Sequence, residues 1–249
     1  MSHFFDYSKY YNLLYKDKNY QEEVDYIDSL IKKYNAKAVQ LLDVGCGTGN
    51  HAKLMARKGY NIHGIDLSEQ MLEIAKSGQS DITFEQGDIR HFKLDRRFDV
   101  ITSLFHVMSY QTSNEDVVSS FKAVHNHLNK DGLFIFDFWY GPAVMMDPPS
   151  VRVKKMENES LKVIRVAEPL IDYDQCIVSV QFDVNIFEKQ LSQLDSLQET
   201  HPMRYFFKNE LHYFASQCGF EVLDFYAWLS MNEPSKDKWY AVAVCKIRG

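Results

Sequence analysis

The chain has 249 residues, 45% of them apolar, which suffices for one α/β domain with an insertion or for two small domains without disulfides or metals. Its net charge of −6 at pH 7, with no basic stripe, argues against a nucleic-acid backbone as the main partner. Cys46, Cys176, Cys218 and Cys245 show no C-x-x-C spacing and read as reduced thiols of a cytoplasmic protein. Neither a signal peptide nor a membrane span is expected, because no basic segment leads an apolar one at the N-terminus and no apolar run is long enough.

In chain order, Val24, Ile27, Ile31 and Tyr34 recur at helical spacing and predict a helix over 20–34. Residues 39–44 are a nearly continuous apolar run ending in glycines, the pattern of a strand buried on both faces of a parallel sheet. A helix over 50–58 follows, stopped by Gly59. Residues 61–66 form a strand, and Ser68 caps a helix to residue 76 that buries Met71, Leu72 and Ala75. Strands are predicted at 82–86 and 98–105. Ser113-x-x-Asp116, a variant capping box, opens a helix with Val117, Phe121, Val124 and Leu128 on one face, and Gly132 precedes a fifth strand at 133–138.

This alternation predicts a doubly wound α/β sheet. After Gly141-Pro142 the texture changes: Val178, Val180, Phe182, Val184 and Ile186 alternate with polar residues, as in a half-buried antiparallel strand. With 159–168 and 198–207 as partner strands, residues 142–206 read as an antiparallel β insertion covering the acceptor side of a single domain over 1–249. A helix at 208–217, stopped by Gly219, and strands at 220–228 and 239–247 complete a sheet of about seven strands.

Asp43-Val44-Gly45-Cys46-Gly47-Thr48-Gly49 lies where a strand gives way to a helix. Glycines there let a ligand approach the backbone, and the helix start offers free N–H groups. The dinucleotide pattern G-x-G-x-x-G requires glycine where this chain has Asn50, and no Gly-Lys-Ser/Thr follows for a P-loop. The acidic residue in front disfavours pyrophosphate and suits a ligand carrying an ammonium and a sulfonium, such as S-adenosylmethionine. Asp66, at the next strand end with Leu67 behind it, is placed to accept both hydroxyls of a ribose. Met71 is placed for an adenine face. Gly87-Asp88-Ile89-Arg90 offers Asp88 to the adenine amino group and Ile89 to the ring. Ser103 and Leu104, ending the fourth strand, are further candidate cofactor contacts. All lie at the same predicted sheet edge, where α/β folds bind ligands.

Three segments resemble the motifs of class I S-adenosylmethionine-dependent methyltransferases: Leu41 to Gly49, Gly64-Ile65-Asp66-Leu67-Ser68-Glu69-Gln70-Met71-Leu72, and Gln86 to Arg90. Asn129-Lys130-Asp131-Gly132-Leu133 is similar to that family's loop before strand five. The resemblance implies a Rossmann-like fold, S-adenosyl-L-methionine as cofactor and S-adenosyl-L-homocysteine as product. Within the superfamily, Tyr11-Asn12-Leu13-Leu14-Tyr15, Phe136-Asp137-Phe138-Trp139-Tyr140 and the insertion resemble the N,N-dimethyltransferases of nucleotide-linked amino sugars. Those enzymes carry Glu-Pro-Trp-Trp where this chain has Asp137-Phe138-Trp139-Tyr140.

A sulfonium methyl is already activated, so positioning and desolvation supply much of the rate and no elaborate triad is expected. His106 is a candidate to hold or deprotonate an amine or hydroxyl, or else a histidine hydrogen-bonded at a strand end. Tyr110 aligns, in the resemblance, with a polar ring near the methylated nitrogen. Trp139 and Tyr140 are acceptor-side candidates, and Tyr11 and Tyr20 candidates for a lid over the methionyl end. Asp147-Pro148-Pro149-Ser150 reads as a loop breaker, and His125-Asn126-His127 is no metal pair because residues two apart on a helix diverge. No metal is expected.

The leading expectation is methyl transfer to a small molecule, first an amino sugar, with an O-methyltransferase close behind. An oxygen acceptor needs a base more than an amine does, so His106→Ala is expected to cost activity modestly on an amine. A NAD-dependent oxidoreductase lacks its third glycine here, and a non-catalytic adenosylmethionine-binding protein would need no pocket beside the sulfonium. A homodimer is compatible with the sequence, which does not fix the oligomeric state.

Overall fold

The computed structural model describes residues 13–77, 81–190 and 193–248; Tyr11 lies outside them. Helix α1 (Tyr20–Tyr34) starts at Asn19, whose side chain accepts from Glu22 N at 3.2 Å. Acidic residues in its first turn and Lys32 and Lys33 in its last complement the helix dipole. Strand β1 (Gln40–Val44), helix α2 (Asn50–Arg57), strand β2 (Asn61–Asp66), helix α3 (Glu69–Ser77) and strand β3 (Thr83–Gln86) follow. Strand β4 (Phe98–Ser103), a 3-10 turn (Val107–Tyr110), helix α4 (Asn114–His127) and strand β5 (Leu128–Tyr140) complete the first half. Ser113 caps α4 by accepting from Asp116 N at 3.0 Å.

The second half runs through helix α5 (Gly141–Met146) and strands β6 (Arg152–Glu157), β7 (Leu161–Asp172), β8 (Ile177–Glu188) and β9 (Gln193–Phe206). Helix α6 (Lys208–Gln217) and strands β10 (Phe220–Ala227) and β11 (Tyr240–Ile247) end the chain. The main sheet has the order β3-β2-β1-β4-β5-β11-β10, parallel as far as β5, with β11 antiparallel to both its neighbours. This is a doubly wound, Rossmann-like sheet of seven strands, as the sequence leads one to expect. Strands β6 to β9 form an antiparallel layer, joined where β9 pairs with the end of β5 through Trp139–Tyr205 and Tyr140–Phe206.

Apolar side chains fill both sheet faces. On one face Phe134, Phe136 and Phe138 of β5 cluster with Phe121 of α4 and Leu211 and Phe214 of α6; on the other, Leu41, Val100 and Ile135 cluster with Val24, Ile27 and Leu30 of α1, Met55 of α2 and Leu72 of α3. This two-sided burial explains the solid apolar runs of β1 and β5. Under the antiparallel layer, Met156, Val163, Val184 and Ile186 pack on Leu14 and Met71, so the insertion's core touches the candidate cofactor edge.

Three elements depart from the sequence expectations. Gly141-Pro142 begins a short helix where the antiparallel insertion is expected to start, since proline's missing N–H and fixed φ suit the first helical turn. The antiparallel layer has four strands and not three: β6 is an edge strand exposed at five of six positions, without the apolar alternation that marks a strand. Strand β4 ends at Ser103, two residues short of the predicted end, because Phe105 (φ 67°) and His106 (φ 65°) turn into the left-handed region. Among the described residues, no helix is long and apolar enough to cross a membrane, and no cluster of His, Cys, Asp or Glu is arranged for a metal ion.

Candidate active site

The parallel strands end at a cavity of about 780 Å³, within the usual range for small-molecule sites. At its floor the turn after β1 passes through three positive-φ glycines, Gly45 (76°), Gly47 (53°) and Gly49 (76°). A Cβ on Gly45 would overlap Val107, and one on Gly49 would come within 2.9 Å of Phe84. A Cβ on Gly47 would meet nothing, because that face is open. Gly45, Cys46 and Gly47 line the cavity. Burial pushes the Cys46 thiol well up, so it is neutral.

Asp66 lines the cavity and organises the loop around it. Its Oδ2 accepts from Gly47 N at 2.7 Å and its Oδ1 from Ser68 N at 2.8 Å. Burial nevertheless raises its pKa, these amides offsetting only part of the cost. Asp43 lies beneath the loop, 3% exposed. Its Oδ1 accepts from the Thr102 hydroxyl at 3.2 Å, while its Oδ2 is buried without a hydrogen-bond partner. Burial pushes Asp43 up to about 6, against the pull of His51. A buried carboxylate oxygen with no donor calls for a cationic partner.

Asp88 does not join the other two carboxylates. Arg90, two residues on in the same tight turn, folds back and donates to both its oxygens, at 2.9 Å to Oδ1 and 2.5 Å to Oδ2. Burial would raise Asp88, but these hydrogen bonds outweigh it and hold the carboxyl below its usual range. Ile89 packs into the core with Phe92. The cavity lining comprises Met71, Leu104, Tyr20 and Trp139 among the expected contacts and omits Asp43, Gly49, Leu67, Gly87, Asp88, Ile89, Ser103 and Tyr140. Leu67 points to solvent at 50% exposure, and Ser103 is wholly buried.

A methyltransferase-domain family model matches residues 41–132. The protein of Bacillus subtilis (strain 168) named "Putative methyltransferase YqeM" is 30% identical over 201 residues, covering 79% of each chain. This chain belongs to the S-adenosylmethionine-dependent methyltransferases. The methyltransferase is also 29% identical over 181 residues to the dTDP-3-amino-3,4,6-trideoxy-alpha-D-glucopyranose N,N-dimethyltransferase of Streptomyces venezuelae, covering 72% of this chain and 76% of that one. An S-adenosylmethionine-dependent methyltransferase structure from Clostridium acetobutylicum ATCC 824 shares the fold over 97% of both chains, with a TM-score of 0.81 at 23% identity. The residues fit S-adenosylmethionine: a partnerless buried carboxylate oxygen for a cation, an open glycine face for close approach, and an acid at the end of β2.

On the other side of the methyltransferase's cavity, His106 follows β4 in its left-handed conformation. Two successive non-glycine residues with φ near 65° cost of the order of 1–3 kcal/mol each. Asp137 of β5 holds this turn: its Oδ1 accepts from His106 N at 3.0 Å, and its Oδ2 lies 2.7 Å from His106 Nδ1. Asp137 is 1% exposed. Burial alone would raise it, but His106 holds the carboxyl below its usual range. Tyr110 meets His201 Nδ1 at 2.8 Å, and His201 Nε2 lies 3.1 Å from Glu199. Burial pushes the Tyr110 phenol up. Trp139 stacks edge-on against Trp239 at 5.5 Å, with its Nε1 buried and without a hydrogen-bond partner.

Several of these residues escape sequence reasoning. Asp137 carried a signal, an acid inside an otherwise solid apolar strand. Glu199 and His201 carried a weaker one, two polar residues spaced to share one strand face. Arg165, on β7, sits over the Phe182 ring at 4.5 Å and has no local signature. Glu23, 2.7 Å from His51 and 2.5 Å from Lys18, joins α1 to the glycine loop's helix. The loop breaker at 147–150 contributes Asp147, Pro149 and Ser150 to the cavity wall.

Proposed function

We propose that this methyltransferase transfers methyl groups to the amino nitrogen of a nucleotide-linked amino sugar. The observation that carries this reading is the cationic wall of the acceptor side. Arg152, Arg165 and Lys238 line the cavity, and none is in an ion pair among the described residues. Arg165 Nε is buried without a hydrogen-bond partner. The guanidinium is half-buried and its Nε–H lacks an acceptor, which an anion would supply, and phosphate suits its fork. The rim also carries Asp147 and Asp237, which suit the sugar's amino group or hydroxyls. Similarity to the Streptomyces venezuelae amino-sugar enzyme points the same way.

In this reading, Asp66 takes the ribose hydroxyls, Asp43 faces the methionyl ammonium across the glycine loop, and Met71 and Leu104 flank the adenine. S-adenosylmethionine, when bound, supplies a methyl group made electrophilic by its sulfonium. The chain's own residues position the acceptor and exclude water. Trp139 and Tyr110 line the acceptor end, and the segment 142–206 covers it within one domain. Four free thiols support a reducing compartment, the cytoplasm. The O-methyl alternative keeps one supporting observation, the His106–Asp137 pair, because a hydroxyl needs a base. Mass spectrometry of products from a panel of dTDP-linked amino and neutral sugars tests the proposal. Methylated amino sugars are expected, and methylation confined to neutral sugars refutes it.

A further inference from the structure

We propose that His106 and Asp137 form a proton-accepting dyad, in which Asp137 positions the His106 ring through Nδ1 and Nε2 takes the proton that the acceptor nitrogen loses. This rests on the amino-sugar reading above. It adds a role for Asp137 and a reason why this site contains a base that the methyl chemistry itself does not require.

Three observations converge. First, Asp137 accepts from the His106 backbone N–H at 3.0 Å and sets its Oδ2 2.7 Å from Nδ1, an ion-pair distance at which Nδ1, buried and without a fully aligned hydrogen bond, has no other partner among the described residues. With Nδ1 turned to a buried carboxylate, Nε2 is the ring nitrogen left for a ligand. Second, the histidine side chain is 12% exposed and lines the cavity, so that nitrogen is sheltered yet reachable. Its ring is wedged by Tyr240 at 4.5 Å and Trp139 at 6.2 Å, and the left-handed turn at Phe105 and His106 aims it away from the strand direction.

Third, the other histidines and Asp66 among the cavity-lining residues are engaged, and Asp147 and Asp237 are exposed at the rim, where water reaches them. His201 has both nitrogens occupied, by Tyr110 and Glu199. His51 gives Nε2 to Glu23 on the cofactor side. Asp66 accepts from the backbone of Gly47 and Ser68. The titratable groups around the dyad are Asp137 from β5, Tyr240 from β11 and, from the segment before α1, Lys18, whose ammonium lies 4.0 Å from the Phe105 ring and acts on Asp137. Tyr15 and Arg152 border Tyr240.

The chemistry balances. A sugar ammonium has no lone pair. Its proton passes to Nε2, giving an imidazolium beside the Asp137 carboxylate and a neutral amine. The amine lone pair then forms the new N–C bond, with the electrons of the broken bond left on the cofactor's sulfur. The methylated nitrogen is cationic, and the imidazolium releases its proton to water. Because solution hydroxide can also deprotonate an amine, the dyad matters most at pH values where the acceptor is protonated.

The test has two arms. In nitrogen-15 NMR of the histidine-labelled enzyme without ligands, assigned by His106→Gln, the neutral His106 is expected as the Nδ1–H tautomer. Asp137→Asn is expected to move the proton to Nε2, because the amide can donate to Nδ1. In kinetics with dTDP-3-amino-3,4,6-trideoxy-glucose, H106Q and D137N are expected to lower kcat about 100-fold near neutral pH, where the imidazole is free to accept and the sugar nitrogen is still an ammonium. This exceeds the modest loss the sequence leads one to expect, because Asp137 ties the histidine into a dyad. The loss should shrink as pH rises, with KM for the sugar and Kd for S-adenosylhomocysteine within about threefold of wild type. An Nε2–H tautomer in the wild type, or both variants within about twofold at every pH, overturns the dyad; a loss that does not change with pH overturns its amine-deprotonating role. If the wild type methylates only neutral sugars, the amino-sugar reading fails, while the NMR arm still decides the dyad. The wild-type spectrum requires no variant, so it decides the matter even if D137N does not fold.

Discussion

Asp43→Asn should make the unliganded methyltransferase more stable and its cofactor weaker. In the folded chain Asp43 is pushed from its ordinary 3.8 up to about 6 by burial. The folded state therefore binds its proton more tightly than the unfolded state, and the ionised carboxylate works against folding. At about 1.4 kcal/mol per pH unit, the cost is roughly 3 kcal/mol above pH 6 and about half that near pH 5. Stability from this group is thus lost as pH rises from about 4 to about 6 and is constant above.

Asparagine removes that cost and keeps an acceptor for the Thr102 hydroxyl. It also places an NH₂ where Oδ2 has no partner, a penalty of about 1–2 kcal/mol. The ionic cost wins by about 1–2 kcal/mol, a rise of roughly 2–8 °C in Tm for a chain of this size. Thermal unfolding from pH 5 to pH 8, with and without S-adenosylhomocysteine, measures both effects. The D43N advantage should shrink toward pH 5, and the ligand should raise its Tm by less than that of the wild type. A variant less stable than wild type at pH 7.5, or one with an unchanged ligand shift, refutes the account of Asp43 as a buried anion awaiting a cation.

Other expectations follow from single contacts. Gly45→Ala forces a Cβ against Val107 at φ 76° and should cost about 2–3 kcal/mol in unfolding free energy. Adding Val107→Ala should recover only the steric part, because the backbone strain remains. Arg165→Gln should raise KM for a dTDP-linked sugar at least about tenfold, the scale of one hydrogen bond to a charged group, with Kd for S-adenosylhomocysteine unchanged by calorimetry. An unchanged KM places the phosphates elsewhere.

The alternation of solid apolar strands with amphipathic helices made the main sheet legible from the sequence, since two-sided burial leaves no polar alternation for a strand to show. The glycine spacing at 45–49 and the acid at the end of β2 were legible for a similar reason: a ligand pressed against backbone leaves room only for glycine, and the backbone amides around it need an acceptor. The edge strand β6 was not legible, because its pattern reflects exposure and its pairing comes from β7. Nor was the fate of Asp88, settled by an arginine two residues away that could equally have reached solvent. What brought Asp137 onto His106, Tyr110 onto His201 and Arg165 into the same cavity was the meeting of β4, β5 and the antiparallel layer. Those partners are 31 residues apart in the first case and 91 in the second, and neither separation states which side chain faces the cavity; strand register and the left-handed turn at Phe105 and His106 decide that.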